Sequence, residues 1–120
     1  MFVNLSNHPS TLWNEEQTFA AKAMGGTIVD LPFPTIDPSG DETSIANLVD
    51  EYVEKVLAMG EPAGLTVHVM GEMTFTFAII TKLLAVGATC VASTTERITR
   101  ELPDGRKESI FRFVRFRQYQ

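Results

Sequence analysis

The 120-residue chain predicts an α/β fold: a minimal Rossmann-like sandwich of about four parallel strands and three helices, with a C-terminal antiparallel β-hairpin. Three observations lead there. Short apolar runs rich in β-branched residues alternate with runs of helical spacing, the order that builds right-handed crossovers and a parallel sheet. An apolar strand at Leu65–Met70 passes through Gly71-Glu72 straight into a helix-like run from Met73 to Val86. Near the C-terminus, Asp104-Gly105 sits between two runs of strand character, a strong hairpin signal.

Phe2–Leu5 reads as the first strand and Ser6–Ser10 as a turn. Asn14-Glu15-Glu16-Gln17 resembles a capping box and opens a helix that reaches about Met24 and stops at Gly25-Gly26. Thr27–Leu31 is the second strand, ended by Pro32-Phe33-Pro34 because proline has no N–H for the ladder. Ile45, Leu48, Val49, Tyr52, Val53, Val56 and Leu57 trace one face of a second helix, closed by Gly60 and Pro62. Strand 65–70 and helix 73–86 follow, then a fourth strand at Thr89–Ala92. Arg97–Leu102 and Glu108–Tyr119 are the hairpin strands. In the last of these Phe111 and Phe113 share one parity and Val114 and Phe116 the other, which a bulge or two-sided burial would reconcile.

Everything fits one domain over residues 1–120, with 97–120 as a basic hairpin extension. The net charge of −5 hides an asymmetry: residues 1–96 carry 12 acids and 3 bases, residues 97–120 carry 3 acids and 7 bases. The overall sign excludes general DNA or RNA coating, while the basic end permits one local anionic site or pairing with the acidic body. Apolar runs are too short for a membrane span, and the N-terminus shows no secretion signal. Cys90 is the single cysteine, so a reducing cytoplasm is the expected location. With two histidines 60 residues apart and no cysteine pair, neither a metal nor another cofactor is expected. There is no GxGxxG, no Walker-type loop and no G-x-S-x-G elbow.

In such a sheet the segments after the parallel strands, Ser6–Ser10, Pro32–Pro38, Gly71–Thr76 and Ser93–Arg97, share one rim, where ligands bind. At the Gly71 junction a helix N-terminus would offer free N–H groups to an anion, with hydroxyls from Thr74 and Thr76. Ser93, Thr94 and Thr95 would bind phosphate oxygens and Arg97 would add charge. His8 is a candidate proton-transfer group, or only a turn residue before Pro9. Glu72 is a first-turn acid, or an acceptor for a sugar hydroxyl or adenine amine. His68, inside an apolar strand, reads better as a hydrogen-bonded core histidine, and Cys90 as an inert core residue.

The segments Asn4–Pro9, His68–Thr74 and Ala92–Arg97 resemble the small Rossmann-like CRISPR-associated proteins of type III systems, the cyclic-oligoadenylate sensors and ring nucleases of antiviral defence. The resemblance is one of pattern over most of the chain. It implies a homodimer that binds cyclic oligoadenylate, cyclic tetra-adenylate first, across its two-fold axis. It also implies metal-independent ring cleavage by attack of a ribose 2′-OH. By the resemblance Asn7, Gly71, Glu72, Thr74 and Ser93 would contact the ligand; the rim argument adds Ser6, Met73, Thr76, Thr94 and Thr95 as ligand residues and His8, Glu72 and Arg97 as the residues to serve the chemistry, none of them matched to a catalytic residue of the family. A small nucleotide or sugar-phosphate hydrolase or transferase on the same rim, and a non-catalytic interaction domain working through the aromatic, basic last strand, are the alternatives.

Overall fold

The first strand alternates sharply, and that alternation divides the molecule. In the computed structural model, which describes residues 1–120, β1 (Phe2–Ser6) sends Val3 and Leu5 to one side of the sheet and Phe2, Asn4 and Ser6 to the other. The Val3 side receives two helices, α2 (Glu42–Leu57) and α3 (Met73–Ala85), and holds the larger core. The Phe2 side receives only α1 (Glu15–Gly25), over a smaller core of Phe2, Ala21, Val91, Phe113 and Phe116.

Each helix starts where its sequence says it should. Asn14 accepts from the Gln17 N–H at 2.9 Å, Asp41 from the Ser44 N–H at 2.9 Å, and Glu72 from the Thr74 and Phe75 N–H groups. Helix α1 ends in Gly25-Gly26; Gly26 takes φ 76°, and a Cβ on Gly25 would lie 2.6 Å from the Phe2 nitrogen. Helix α3 is apolar nearly all round. It buries Phe75, Ile79, Ile80 and Leu83, with Phe75 edge-on to Phe33 and Tyr52, and leaves Phe77 76% exposed.

The sheet has five strands in the order β2-β1-β3-β4-β5, where β2 is Ile28–Asp30, β3 Thr66–Met70, β4 Thr89–Glu101 and β5 Lys107–Gln118. The first four are parallel, with Asn4 opposite both Asp30 and His68. The order reverses at β1: the chain steps outward to β2 and then back across to β3. That is the topological switch point at which open α/β sheets leave a crevice.

Two expectations need correcting. Ser6 belongs to β1, and the turn after it closes in a 3₁₀ turn at Ser10–Leu12. More consequentially, segments 89–92 and 97–102 are not separate strands. Ser93–Arg97 does not leave the sheet at the rim but continues as strand, because β5 pairs with it along its whole length. A register shift at Thr94/Thr95 supplies the bulge that the mixed parity of the last strand requires: it brings Phe116 to the α1 face with Phe113 and Phe111 and leaves Val114 exposed.

Beyond Val91, β4 is paired only with β5. Ala92–Glu101 therefore form half of an arm about 30 Å long at the rise of a strand. The radius of gyration of 16.1 Å records this arm; a compact chain of this length has about 14 Å.

Phe75→Ala should cost about 3–5 kcal/mol, since the ring is fully buried between Phe33, Tyr52 and the sheet. A urea titration measures this, and a loss below 1 kcal/mol would contradict the packing described.

Candidate functional site

The polar residues of the α1 face form a row across the parallel strands: Asp30 on β2, Asn4 and Ser6 on β1, His68 on β3 and Ser93 on β4. Helix α1 covers the apolar end of that face, where Phe2, Trp13 and Phe116 meet the His68 ring. Towards the carboxyl ends of β1 and β3 the cover stops. A cleft of about 580 Å³ opens there, within the range of small-molecule sites.

Ser6, Asn7 and His8 form one wall of the cleft, Gly71 and Met70 a second, and Ser93, Thr95 and Phe111 a third. Trp13 and Gln17 reach in from the start of α1. No Lys, Arg, Asp or Glu lines it. A recess of about 190 Å³ adjoins it beside Asn7, Asp30 and Phe33.

Asn4 organises the floor. Its amide nitrogen donates to the His8 carbonyl at 2.8 Å and to Asp30 Oδ1 at 2.9 Å. Its amide oxygen accepts from Ser6 Oγ at 2.8 Å and faces His68 Nδ1 at 2.9 Å. Asp30 is held in turn by the Ser10 N–H and hydroxyl. Because the Asn4 oxygen can only accept, His68 carries its proton on Nδ1, and the Nε2 lone pair faces Ser93 Oγ at 3.2 Å. Burial, and secondly the neighbouring His8, push the His68 imidazole down from 6.5 to about 4. The ring is therefore neutral at neutral pH.

Of the expected site residues, the fold brings Ser6, Asn7, His8, Gly71, Ser93 and Thr95 to one cleft. The others lie elsewhere. Glu72 closes the α3 N-terminus with its own side chain, accepting from the Thr74 N–H and hydroxyl at 2.6 Å and the Phe75 N–H at 3.2 Å. The Thr74 hydroxyl first, then the backbone N–H groups, hold this carboxylate below its usual range. The anion position at this helix start is thus already filled by a carboxylate, and the expectation of free N–H groups for phosphate does not hold.

Gly71 is required by packing: a Cβ there would lie 2.3 Å from Phe33 Cζ. Met73 and Thr76 line a separate apolar groove of about 360 Å³ between α3 and Tyr119. Thr94 exchanges hydrogen bonds with the Arg115 backbone at the bulge, and Arg97 donates to Ser109 Oγ across the arm; neither lines the cleft. Cys90 is buried and its thiol is pushed up to about 11, which keeps it inert.

Asn4, Trp13, Gln17 and Phe111 lie outside the expected set of site residues; His68 is the buried, hydrogen-bonded histidine that the sequence predicts, and it also borders the cleft. One signal pointed to the floor: Asn is depleted in strands, yet Asn4 interrupts an apolar one at the parity of Ser6.

Residues 1–117 match the family described as "Uncharacterized protein MJ1673 family". The chain belongs to that family. No curated protein and no solved structure matches it. No helix is long and apolar enough to cross a membrane, and no three His, Cys, Asp or Glu side chains are grouped to hold a metal ion.

Gly71→Ala should destabilise the fold by about 1–3 kcal/mol through the clash with Phe33, without any ligand present. In a double-mutant cycle with Phe33→Ala, measured by urea unfolding, most of that penalty should vanish; strict additivity would show that the ring is not the cause.

His68 makes a second outcome measurable. The unfolded imidazole takes up a proton near 6.5 and the folded one only near 4. In that window the unfolded state binds more protons, so stability falls as the pH drops through it, by a total on the order of 3 kcal/mol. Urea midpoints of the parent chain and His68→Gln across this window should show a shallower acid slope in the variant. Equal slopes would assign the pH dependence to other groups.

Proposed function

We propose that this chain binds a cyclic oligoadenylate in the switch-point cleft, as a homodimer, in type III CRISPR signalling. The observation that carries the reading is the convergence of Ser6, Asn7, His8, Gly71, Ser93 and Thr95 on one cleft at the carboxyl ends of β1 and β3. Trp13 and Phe111 offer aromatic surface for adenine, and Asn7 and Gln17 offer amides that both donate and accept. The resemblance of residues 4–9, 68–74 and 92–97 to the type III sensors supports the identity of the ligand.

Phosphate charge needs an answer that one protomer does not contain, since no cationic side chain lines the cleft. The arm supplies it in a dimer. It carries Arg97, Arg100, Arg106, Lys107, Arg112 and Arg115 and exposes Phe111 (68%) and Val114 (54%) to solvent. The body it would lie against is acidic, with 12 acids against 3 bases over residues 1–96. A cyclic tetranucleotide has its own rotational symmetry and is shared naturally by two identical clefts. The resemblance also implies ring cleavage without a metal, by in-line attack of a ribose 2′-OH on its own phosphodiester.

Calorimetric titration with cyclic tetra-adenylate, cyclic hexa-adenylate, linear tetra-adenylate and AMP tests the reading. One cyclic species should bind with one ring per two chains, and affinity should fall as salt rises. Trp13→Ala should weaken it by about 1–3 kcal/mol, roughly 5- to 150-fold, if the indole stacks on a base. Absence of binding to every member of the panel would defeat the proposal. Binding of one ring per chain to a monomer, read by light scattering, would defeat its two-fold part.

A further inference from the structure

We propose that Ser93, His68 and Asn4 form a nucleophile–base–orienter relay in which Ser93 Oγ attacks the phosphorus of a phosphodiester seated in the cleft. This goes beyond the binding reading, puts a protein nucleophile in place of the ribose 2′-OH, and does not depend on which ring, if any, is bound.

The argument follows the hydrogens. Both Asn4 amide protons are committed, to the His8 carbonyl and to Asp30, so the amide cannot flip without losing two hydrogen bonds. Its oxygen therefore faces His68 and fixes the proton on Nδ1. The lone pair on Nε2 is left pointing at Ser93 Oγ, 3.2 Å away. Ser93 has one hydroxyl proton and two acceptors within reach, Nε2 and the Met70 sulfur at 3.0 Å. A neutral imidazole nitrogen is the stronger acceptor of the two.

His68 is only 3% exposed, walled by Phe2, Trp13 and Phe116, so its single reachable polar contact on the Nε2 side is this serine. Ser93 is half-buried and lines the cleft. A base held in one tautomer by a third group, with its free nitrogen on a hydroxyl that faces a substrate-sized space, is the arrangement that activates a serine.

In the step, Ser93 Oγ bonds to phosphorus and the bond from phosphorus to the departing ester oxygen breaks, that oxygen keeping the electron pair. The hydroxyl proton passes to His68 Nε2 and from there to the departing oxygen. Water then attacks the Ser93 phosphoester, gives a proton back through His68, and releases Ser93. The absence of Lys and Arg from the cleft of one protomer favours a singly charged phosphodiester over a doubly charged phosphomonoester. Asn4 touches no reacting atom; it is a positioning residue acting through the tautomer of His68.

A fluorophosphonate is the direct probe, since its phosphorus is electrophilic and fluoride is a ready leaving group. Intact mass and peptide mapping of the parent chain should show one adduct, on Ser93, and none in Ser93→Ala. In His68→Gln the labelling rate should fall about 100-fold or more. If that variant does not fold, the pH profile of labelling in the parent chain decides. The rate should fall in acid with an inflection well below the 6.5 of an ordinary imidazole. The titratable groups around the ring are His8 and, through Asn4, Asp30. Nitrogen-15 shifts of the His68 ring read the role of Asn4: Nδ1–H in the parent chain, and a mixture with Nε2–H in Asn4→Ala. No adduct, an adduct on another serine, or labelling indifferent to both His68→Gln and acid would overturn the relay. An unchanged tautomer in Asn4→Ala would remove Asn4 from it. Labelling without oligoadenylate binding would sink the ligand assignment and leave the relay standing; the converse result would do the reverse.

Discussion

The site depends on one side chain whose hydrogen-bonding capacity is fully used. Asn4 sits in β1, with β2 on one side and β3 on the other, and its amide makes two donor and two acceptor contacts. Each contact reaches a different part of the cleft floor: Asp30 on β2, the His8 carbonyl beyond the rim, Ser6 on its own strand and His68 on β3. An unmet polar group at this depth would cost on the order of 1–3 kcal/mol, so the four partners hold one another in place. The tautomer of His68, the direction of the Ser6 hydroxyl and the path of the chain through Asn7 and His8 follow from that closure.

The two faces of the sheet divide the work. On the α2/α3 side, Val3, Leu5, Val67, Val69 and Cys90 meet Phe75, Ile79 and Leu83, and the contacts are wholly apolar. That side carries the stability of the fold. The α1 side has one helix of 11 residues and a smaller aromatic core. One short helix leaves part of the face open, and the open part lies at the switch point, where the strands end in Ser6 and Met70. The cleft is thus a consequence of unequal cover on a sheet whose order reverses at β1.

The hairpin arm carries a different constraint. It holds its own shape by cross-strand pairs such as Arg100 with Glu108 and Arg112 with Glu96, all solvent-exposed and each worth little. Only its base is anchored, by Phe113 and Phe116 under α1 and by the Tyr119 hydroxyl on the Val69 carbonyl at 2.9 Å. An arm of basic and aromatic residues beyond the last core contact buries little surface within its own protomer. A second copy would bury more of it.

Much of this was legible in the chain. The helical spacing of Ile45–Leu57, the cap at Asn14, the stop at Gly25-Gly26 and the Asp104-Gly105 turn are local signals, and local hydrogen bonding realises them. Strand–helix alternation implied a parallel sheet with a shared rim; Ser6, Asn7, His8 and Gly71 meet there, and Ser93 and Thr95 reach the same cleft from within β4. Three things were not local. Whether Ser93–Arg97 is loop or strand depended on β5 arriving to pair with it. Whether Gly71 serves a ligand or a neighbour depended on where the Phe33 ring packs. The Asp30–Asn4–His68–Ser93 row joins residues 25 to 64 positions apart, and no spacing in the chain announces it. The sequence by itself determined the elements and the rim, because caps, turns and periodicity act over a few residues. The tertiary structure alone decided the chemistry of the cleft, because strand register chooses which side chains of four separate strands meet.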